Sequence, residues 1–443
     1  MSAAASAQLE QISAALCAPV LTRPPRRWWL AFGAALALAS LFVIAVGELF
    51  ARGVGIWGLN IPVAWAFAIA NYIWWIGIGM AGTFISAALH LTRQDWRAPL
   101  ARYAEAMTVF AVSVSGFFPV LHLGRPWFFY WLAPYPNPMG LWPQWRSSLL
   151  WDFFAILAYL VVSIVYWYTG LLPDLATLRD RAARPAVRMF YGLLALGWRG
   201  EARQWQRQES YTRVLAGLAV PLVFSVHSMV AVDLSEGLLP GWHTTLFPPF
   251  FVAGALFSGF AMALVLGLPM RAWLGLHAFI TDAHLDNLAK ILLAAGLFVA
   301  YSYAEELLLP LYSQDRYELA NLHFRLGGDY AGVFWGTLAL NVLPIQALWW
   351  RGVRRSPAAL FLIGLGVVLG MWLERYMLLV TSLSHDFLPS SWSHYAPTAW
   401  DWMTLFGSVG VFACLFLLFL RLLPAVSMAE MRAQRLRQPG GTA

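Results

Sequence analysis

The chain has 443 residues, of which 60% are hydrophobic and only 12% charged, against about 25% charged in a typical soluble domain. Its net charge of +7 is carried almost wholly by arginine, and these residues fall mainly in alternate loops, a pattern that membrane orientation explains better than nucleic-acid binding. With a mean hydropathy of +0.63 and recurrent apolar runs about 20 residues long, the composition excludes an ordinary soluble enzyme. It predicts an all-α polytopic membrane protein.

Residues 1–28 read as a tail rather than the short basic start of a signal peptide, so the first apolar run is expected to stay as an uncleaved span. Ten runs follow: 29–51, 61–91, 104–122, 149–172, 212–236, 249–273, 288–310, 332–350, 358–383 and 402–423. Each can cross roughly 30 Å of hydrocarbon. The tail carries Arg23, Arg26 and Arg27, and the second loop Arg93, Arg97 and Arg102. The fourth loop, 173–211, is densest in arginine, and the eighth and the C-terminal tail are also basic. Loops near 237–248 and 384–401 carry no arginine or lysine. Ten spans with both termini on the cytoplasmic side satisfy this pattern. Within the fourth loop, residues 186–205 alternate arginine and tryptophan with apolar residues. Both an interfacial helix and a solvated linker fit that alternation.

Several signals lead nowhere. Gly77-Ile78-Gly79-Met80-Ala81-Gly82 matches a dinucleotide fingerprint but lies inside an apolar helix with no preceding strand. Close helix contact through small residues is the better reading there and for Ala253, Gly254, Ser258, Gly259 and Ala261. The only cysteines, Cys17 and Cys414, cannot hold an iron–sulfur cluster, zinc or c-type haem. A b-type haem needs two histidines at matched depth, and only His227 lies deep in a run. No metal, haem or cluster is therefore expected in this chain.

With the orientation fixed, ionisable groups gather in the outer half of the membrane. His122 ends the third span and Asp152 lies in the first turns of the fourth. His227, Asp233 and Glu236 follow on the fifth, Glu305 and Glu306 on the seventh, and Glu374 and Arg375 on the ninth. Such residues are costly in lipid and ask for a functional reason. A carboxylate beside a histidine suits proton exchange, and a redox-active quinol gives up two protons with its two electrons. Phe117, Phe118, Trp127, Phe128, Trp131 and Trp151 could supply the aromatic slot for its ring. Bland alternatives stand beside this: Asp152 as a helix cap, Arg125 as an interface anchor, and the glutamates as structural pairs between helices.

His122-Leu123-Gly124-Arg125-Pro126-Trp127, with Trp151-Asp152, resembles the NrfD/polysulfide-reductase-C family of quinone-interacting membrane subunits. Gly170-Leu171-Leu172-Pro173-Asp174, Ser225-Val226-His227-Ser228, Pro240-Gly241-Trp242-His243 and Phe387-Leu388-Pro389-Ser390-Ser391-Trp392 look most like its ActC-type branch, the ten-helix subunit of alternative complex III. The resemblance implies two four-helix bundles, 61–236 and 237–383, flanked by 29–60 and 384–424, with 425–443 a cytoplasmic tail. It implies a menaquinol or ubiquinol site near the periplasmic face, with His122, Asp152 and Asp233 as ligands and proton acceptors and Arg125 and Trp127 beside them. Its expected partners are an extrinsic periplasmic iron–sulfur subunit, a multihaem cytochrome c and a paralogous membrane subunit. A proton path through the second bundle is implied at His277, Asp282, His284, Asp286, Glu305, Glu306, Glu374 and Arg375, with His227 in the first. The rival readings are the membrane anchor of a molybdenum reductase, a type that usually has eight or nine spans, and a secondary transporter. A transporter would show polar breaks near the midplane rather than at one face.

Overall fold

The computed structural model describes residues 3–437. Ten of its helices are long and apolar enough to cross a membrane. In order they are Arg26–Arg52, Phe67–Leu91, Asp95–His122, Ser148–Arg181, Ala202–Ser235, Phe247–Trp273, Asp282–Ser313, Ala331–Trp349, Pro357–Ser384 and Ala399–Leu422, here called spans one to ten. The expected all-α, ten-span architecture therefore holds. The apolar runs mark the spans well because lipid-facing backbone must satisfy its own hydrogen bonds, and helices do so within one segment.

The ends differ mainly where charge was taken as a sign of loop, and span two also starts later than its apolar run, at Phe67 rather than 61. Span three starts at Asp95 rather than 104, since Arg97 and Arg102 are buried and paired instead of lying free in a loop. Spans four and five run on to Arg181 and from Ala202, as helices that continue past the hydrocarbon. The N-terminal tail is also not a plain tail: Ala3–Leu21 is helical and lies against the C-terminal helix Met428–Arg437. There the Cys17 thiol points at the Met428 sulfur, 3.4 Å away, and burial pushes that thiol up to about 11. A thiol so placed is an inert packing group rather than a nucleophile.

Spans two to five pack together, and so do spans six to nine; spans two and six form the seam, and spans one and ten pair along one flank. Small residues set that seam and the contact of spans two and three, as expected. A Cβ on Gly259 would stand 2.5 Å from Ala81 Cβ, and one on Gly82 would stand 2.1 Å from the Ala104 carbonyl oxygen. Gly82→Ala must therefore push spans two and three apart. It is expected to lower stability by about 1–3 kcal/mol, read as earlier thermal unfolding in detergent, whereas Gly47→Ala, with open space around it, should change nothing.

Candidate functional site

The arginine-poor ends of spans two to five, the outer ends in the orientation expected from the loop charges, carry the first cluster. Tyr72 stands five residues into span two and is 4% exposed. Its carbonyl accepts a hydrogen bond from Ser115 of span three at 3.1 Å, which ties the two spans at this depth. The Tyr72 hydroxyl donates to Asp152 Oδ2 of span four. Asp152 is 5% exposed and does not cap its helix: Ser147 takes the cap position and Asp152 turns inward. From span five, Asp233 faces both Ser148 and Asp152. Three spans thus bring one tyrosine and two carboxylates together below the outer surface.

His122 ends span three, about 10 Å along the helix beyond Ser115, and so sits outward of Tyr72. Its ring stacks on Trp57 with centroids 6.0 Å apart and planes 12° apart. Among the described residues, no hydrogen bond joins it to the carboxylates. Asp152 Oδ1, Asp233 Oδ1 and His122 Nδ1 are each buried without a hydrogen-bond partner in the protein. Buried polar atoms are rarely left so. Three of them at one end of four packed spans fit a ligand that brings hydroxyl donors.

After His122 the chain turns through Gly124, at φ 75°, into the short helix Pro126–Leu132. Arg125 and Trp127 are exposed on this outer layer, and Trp127 packs on Phe50 of span one, 5.8 Å between centroids. The residues expected to form an aromatic slot fall into separate groups, of which Trp127, Phe128 and Trp131 keep together. Phe117 and Phe118 pack on Phe42, and Trp151 lies with Trp145 and Phe154. The aromatic groups beside the polar atoms are Tyr72 and Trp57.

Spans six to nine carry a second buried set. Glu374, fully buried, accepts a hydrogen bond from Tyr303 and lies 3.0 Å from the Arg375 guanidinium. Asn341 donates to the Tyr303 oxygen at 2.8 Å. Arg375 also covers the Phe251 ring at 4.0 Å, in a space that Gly254 leaves open. Nearer the outer surface, Arg325 is 4% exposed, pairs with Glu306 at 2.6 Å, and donates to Thr381 and Ser382. Tyr303, Glu306 and Arg325 line one small cavity, which links the two levels.

Other residues expected on a proton path lie elsewhere. Glu305 takes a hydrogen bond from exposed Tyr301 and faces away from Glu306. His227 holds the carbonyls of Val223 and Ile76 at 2.8 and 3.2 Å, a clasp between spans five and two that meets no carboxylate. His277 is exposed in a turn on the arginine-rich side. Asp282 pairs with Arg271, His284 closes a capping box with Thr281, and Asp286 pairs with Lys290 and Arg354. Asp286 and Glu305 are separated by about 28 Å of helix, so these groups and the outer glutamates do not form one chain of contacts.

A third set sits at the arginine-rich end of spans three and four. Arg102 lies 3.2 Å from both Glu105 and Asp174, and all three are buried. Arg97 lies beside His90 and pairs with Glu430 of the C-terminal helix.

A family model described as "Polysulphide reductase, NrfD" matches residues 56–385, most of the chain. The chain belongs to the NrfD family. The matched stretch takes in spans two to nine, and leaves out the flanking pair, spans one and ten. Among its relatives is a selenate reductase subunit of Mesobacillus selenatarsenatis, 24% identical over 87% of this chain and 92% of that protein. A putative dimethyl sulfoxide reductase membrane subunit of Halobacterium salinarum is 25% identical, over 80% of this chain and 77% of its own length. A probable Ni/Fe-hydrogenase 2 b-type cytochrome subunit of Escherichia coli is 24% identical over 79% of this chain and 80% of that one. In this NrfD-family chain, sequence reading missed Tyr72, Trp57, Tyr303 and Arg325. Tyr72 and its neighbour Asn71 did leave a signal, as a polar pair in an otherwise apolar run.

Proposed function

We propose that the chain is the quinol-binding membrane subunit of a multisubunit oxidoreductase. The observation that carries this is the set of three buried, unpartnered atoms on His122, Asp152 and Asp233 at one end of spans two to five. A quinol has two hydroxyls, each needing an acceptor for its proton, and two carboxylates and an imidazole are acceptors of that kind. In this reading Asp152 Oδ1 and Asp233 Oδ1 accept the hydroxyl protons. Tyr72, donating to the other Asp152 oxygen, holds that carboxylate in place. His122, stacked on Trp57 and nearer the surface, relays a proton outward. The site lies near the periplasmic face of a bacterial inner membrane, with both termini cytoplasmic. Electrons leave to an extrinsic iron–sulfur protein docked on the exposed aromatic layer 126–151, which includes Trp131, Trp142 and Trp145.

Two complexes suit this reading. Ten spans and the Pro240-Gly241-Trp242-His243 loop favour an alternative complex III type, with a multihaem cytochrome and quinol oxidation. The names of the selenate and dimethyl sulfoxide reductase relatives favour a reductase anchor. Purifying the complex from its source and recording its subunits and haem spectrum separates them. His122→Ala is expected to slow quinol oxidation by about 10²–10⁴ if it relays protons, with the complex still assembled on size exclusion; wild-type turnover would remove His122 from the site.

The second polar set supports a further reading, proton translocation through Glu374, Tyr303, Glu306 and Arg325, since they share one cavity or one hydrogen-bonded chain. Vesicles containing the complex should then release more protons per quinol than oxidation alone supplies, and Glu374→Gln should bring the ratio back to that scalar value. A wild-type ratio already at the scalar value would leave the set a structural one.

A further inference from the structure

The segment between spans four and five folds back against spans four and ten. Span four is 34 residues long, about 51 Å, so it overshoots the roughly 30 Å hydrocarbon layer. The helix Pro185–Leu194 then folds back against it. The Tyr168 hydroxyl donates to the Leu194 carbonyl at 2.6 Å, and Arg179 donates to the Trp198 carbonyl at 3.0 Å. Tyr168 lies about 30 Å along span four from Ser148, and Arg179 about 16 Å further on. With Ser148 taken at one edge of the hydrocarbon, those levels bracket the opposite headgroup layer. Two more contacts agree: Tyr191 donates to Leu422, the last residue of span ten, and Gln208 donates to Thr169.

At this depth the helix and the turn after it have two apolar faces. Tyr191, Ala195 and Trp198 are buried against the protein. Met189, Phe190, Leu193 and Leu196 point the other way and are 67%, 47%, 71% and 70% exposed. A helix in water does not keep such a stripe uncovered, and one sunk in hydrocarbon does not carry arginine beside it. Arg184, Arg188, Arg199, Arg203 and Arg207 surround the stripe, all exposed. Among the described residues none of the five has an ion-pair partner, whereas their neighbours Arg179, Arg181 and Arg213 do.

We propose that residues 184–207 form a binding site for anionic phospholipid. The stripe lies in the acyl boundary, continuous with lipid-facing Val165 and Leu218 of the adjoining spans, and the unpaired arginines take the phosphate groups. Guanidinium matches phosphate in charge and in its paired donors, and a basic amphipathic helix at the interface is the usual form of such a site. This proposal is independent of the quinol reading.

The test uses the purified full chain in nanodiscs of phosphatidylcholine alone, or of phosphatidylcholine and phosphatidylglycerol in equal parts. Native mass spectrometry counts the phosphatidylglycerol retained after release. The triple variant Arg199→Gln, Arg203→Gln, Arg207→Gln is expected to bind it at least about tenfold more weakly. A nitroxide at Leu193→Cys, with Cys17 and Cys414 replaced by serine and alanine, reports the stripe separately. It should be reached by oxygen and shielded from a water-soluble nickel chelate. Equal retention by wild type and triple variant would overturn the arginine assignment. A label open to the chelate would overturn the interfacial placement. A label shielded from both reagents in the native complex, but not in the isolated chain, would mean that a neighbouring protein of the complex, instead of lipid, lies over the stripe.

Discussion

Asp152→Asn is expected to abolish quinol turnover, by about 10²–10⁴ in rate, while the complex still assembles. The substitution keeps size and shape. Its amide oxygen can still accept the Tyr72 hydrogen bond that ties span four to span two, so the packing survives. What is lost is the capacity to take up a proton. Asp233 still faces the site from span five, but a quinol oxidised completely there has two protons to place and one carboxylate left. Tyr72→Phe sets the opposite case: both carboxylates stay, and only the donor that fixes one of them goes. It should cost less, about tenfold, and should weaken apparent quinol affinity more than maximal rate, because a mobile carboxylate is a poorly positioned acceptor rather than an absent one. Steady-state quinol oxidation by the reconstituted complex, with size exclusion as the control for assembly, measures both. Wild-type turnover in Asp152→Asn would place the chemistry elsewhere.

That contrast also marks how far the sequence could be read. Span number and most span ends were legible, because crossing a bilayer leaves a run of apolar residues whatever the packing. The small-residue contacts were legible as well: Gly259 and Gly82 each stand where a neighbouring span leaves no room for a side chain. Ends failed where a charged residue was buried and paired rather than wet, as at Arg97 and Arg102, since composition cannot distinguish a solvated arginine from one held by a carboxylate 72 residues away. Asp152 and Asp233 were legible as costly residues at one depth. Their link, Tyr72, was not, because tyrosine is common near membrane surfaces and only the fold shows which one turns inward. His227 shows the converse: deep and titratable, it reads as functional in sequence, and the fold sets its ring between two backbone carbonyls.

The second large effect is one of stability. Arg102 is 3% exposed, and it is the cation shared by Glu105 and Asp174, which are 8% and 0% exposed. It also donates to the carbonyls of Trp167 and Gly170, at 3.4 and 2.7 Å. Removing it leaves two buried carboxyl groups without the cation between them, and takes a second donor from two helix carbonyls. Breaking a buried pair in this way costs about 3–5 kcal/mol, and here one cation serves both acids, so Arg102→Ala should fall at the upper end. Asp174 in turn accepts the Ala429 backbone N–H at 3.1 Å, so disorder should spread to the C-terminal helix and expose Cys17, which packs there on Met428. Thiol labelling of Cys17 during a thermal ramp reads both effects together. The exposed pair of Arg213 and Glu209 is the control, since such pairs contribute about 0.2–1 kcal/mol at most and Arg213→Ala should leave the labelling curve nearly in place. A triple change of Arg102 to methionine, Glu105 to glutamine and Asp174 to asparagine removes the charges together. It should recover much of the loss, because the cost lies in the uncompensated carboxylates rather than in the missing attraction. If Arg102→Ala and the triple variant unfold alike, the arginine acts through its carbonyl contacts and its packing, and charge balance is not what holds this end of spans three and four.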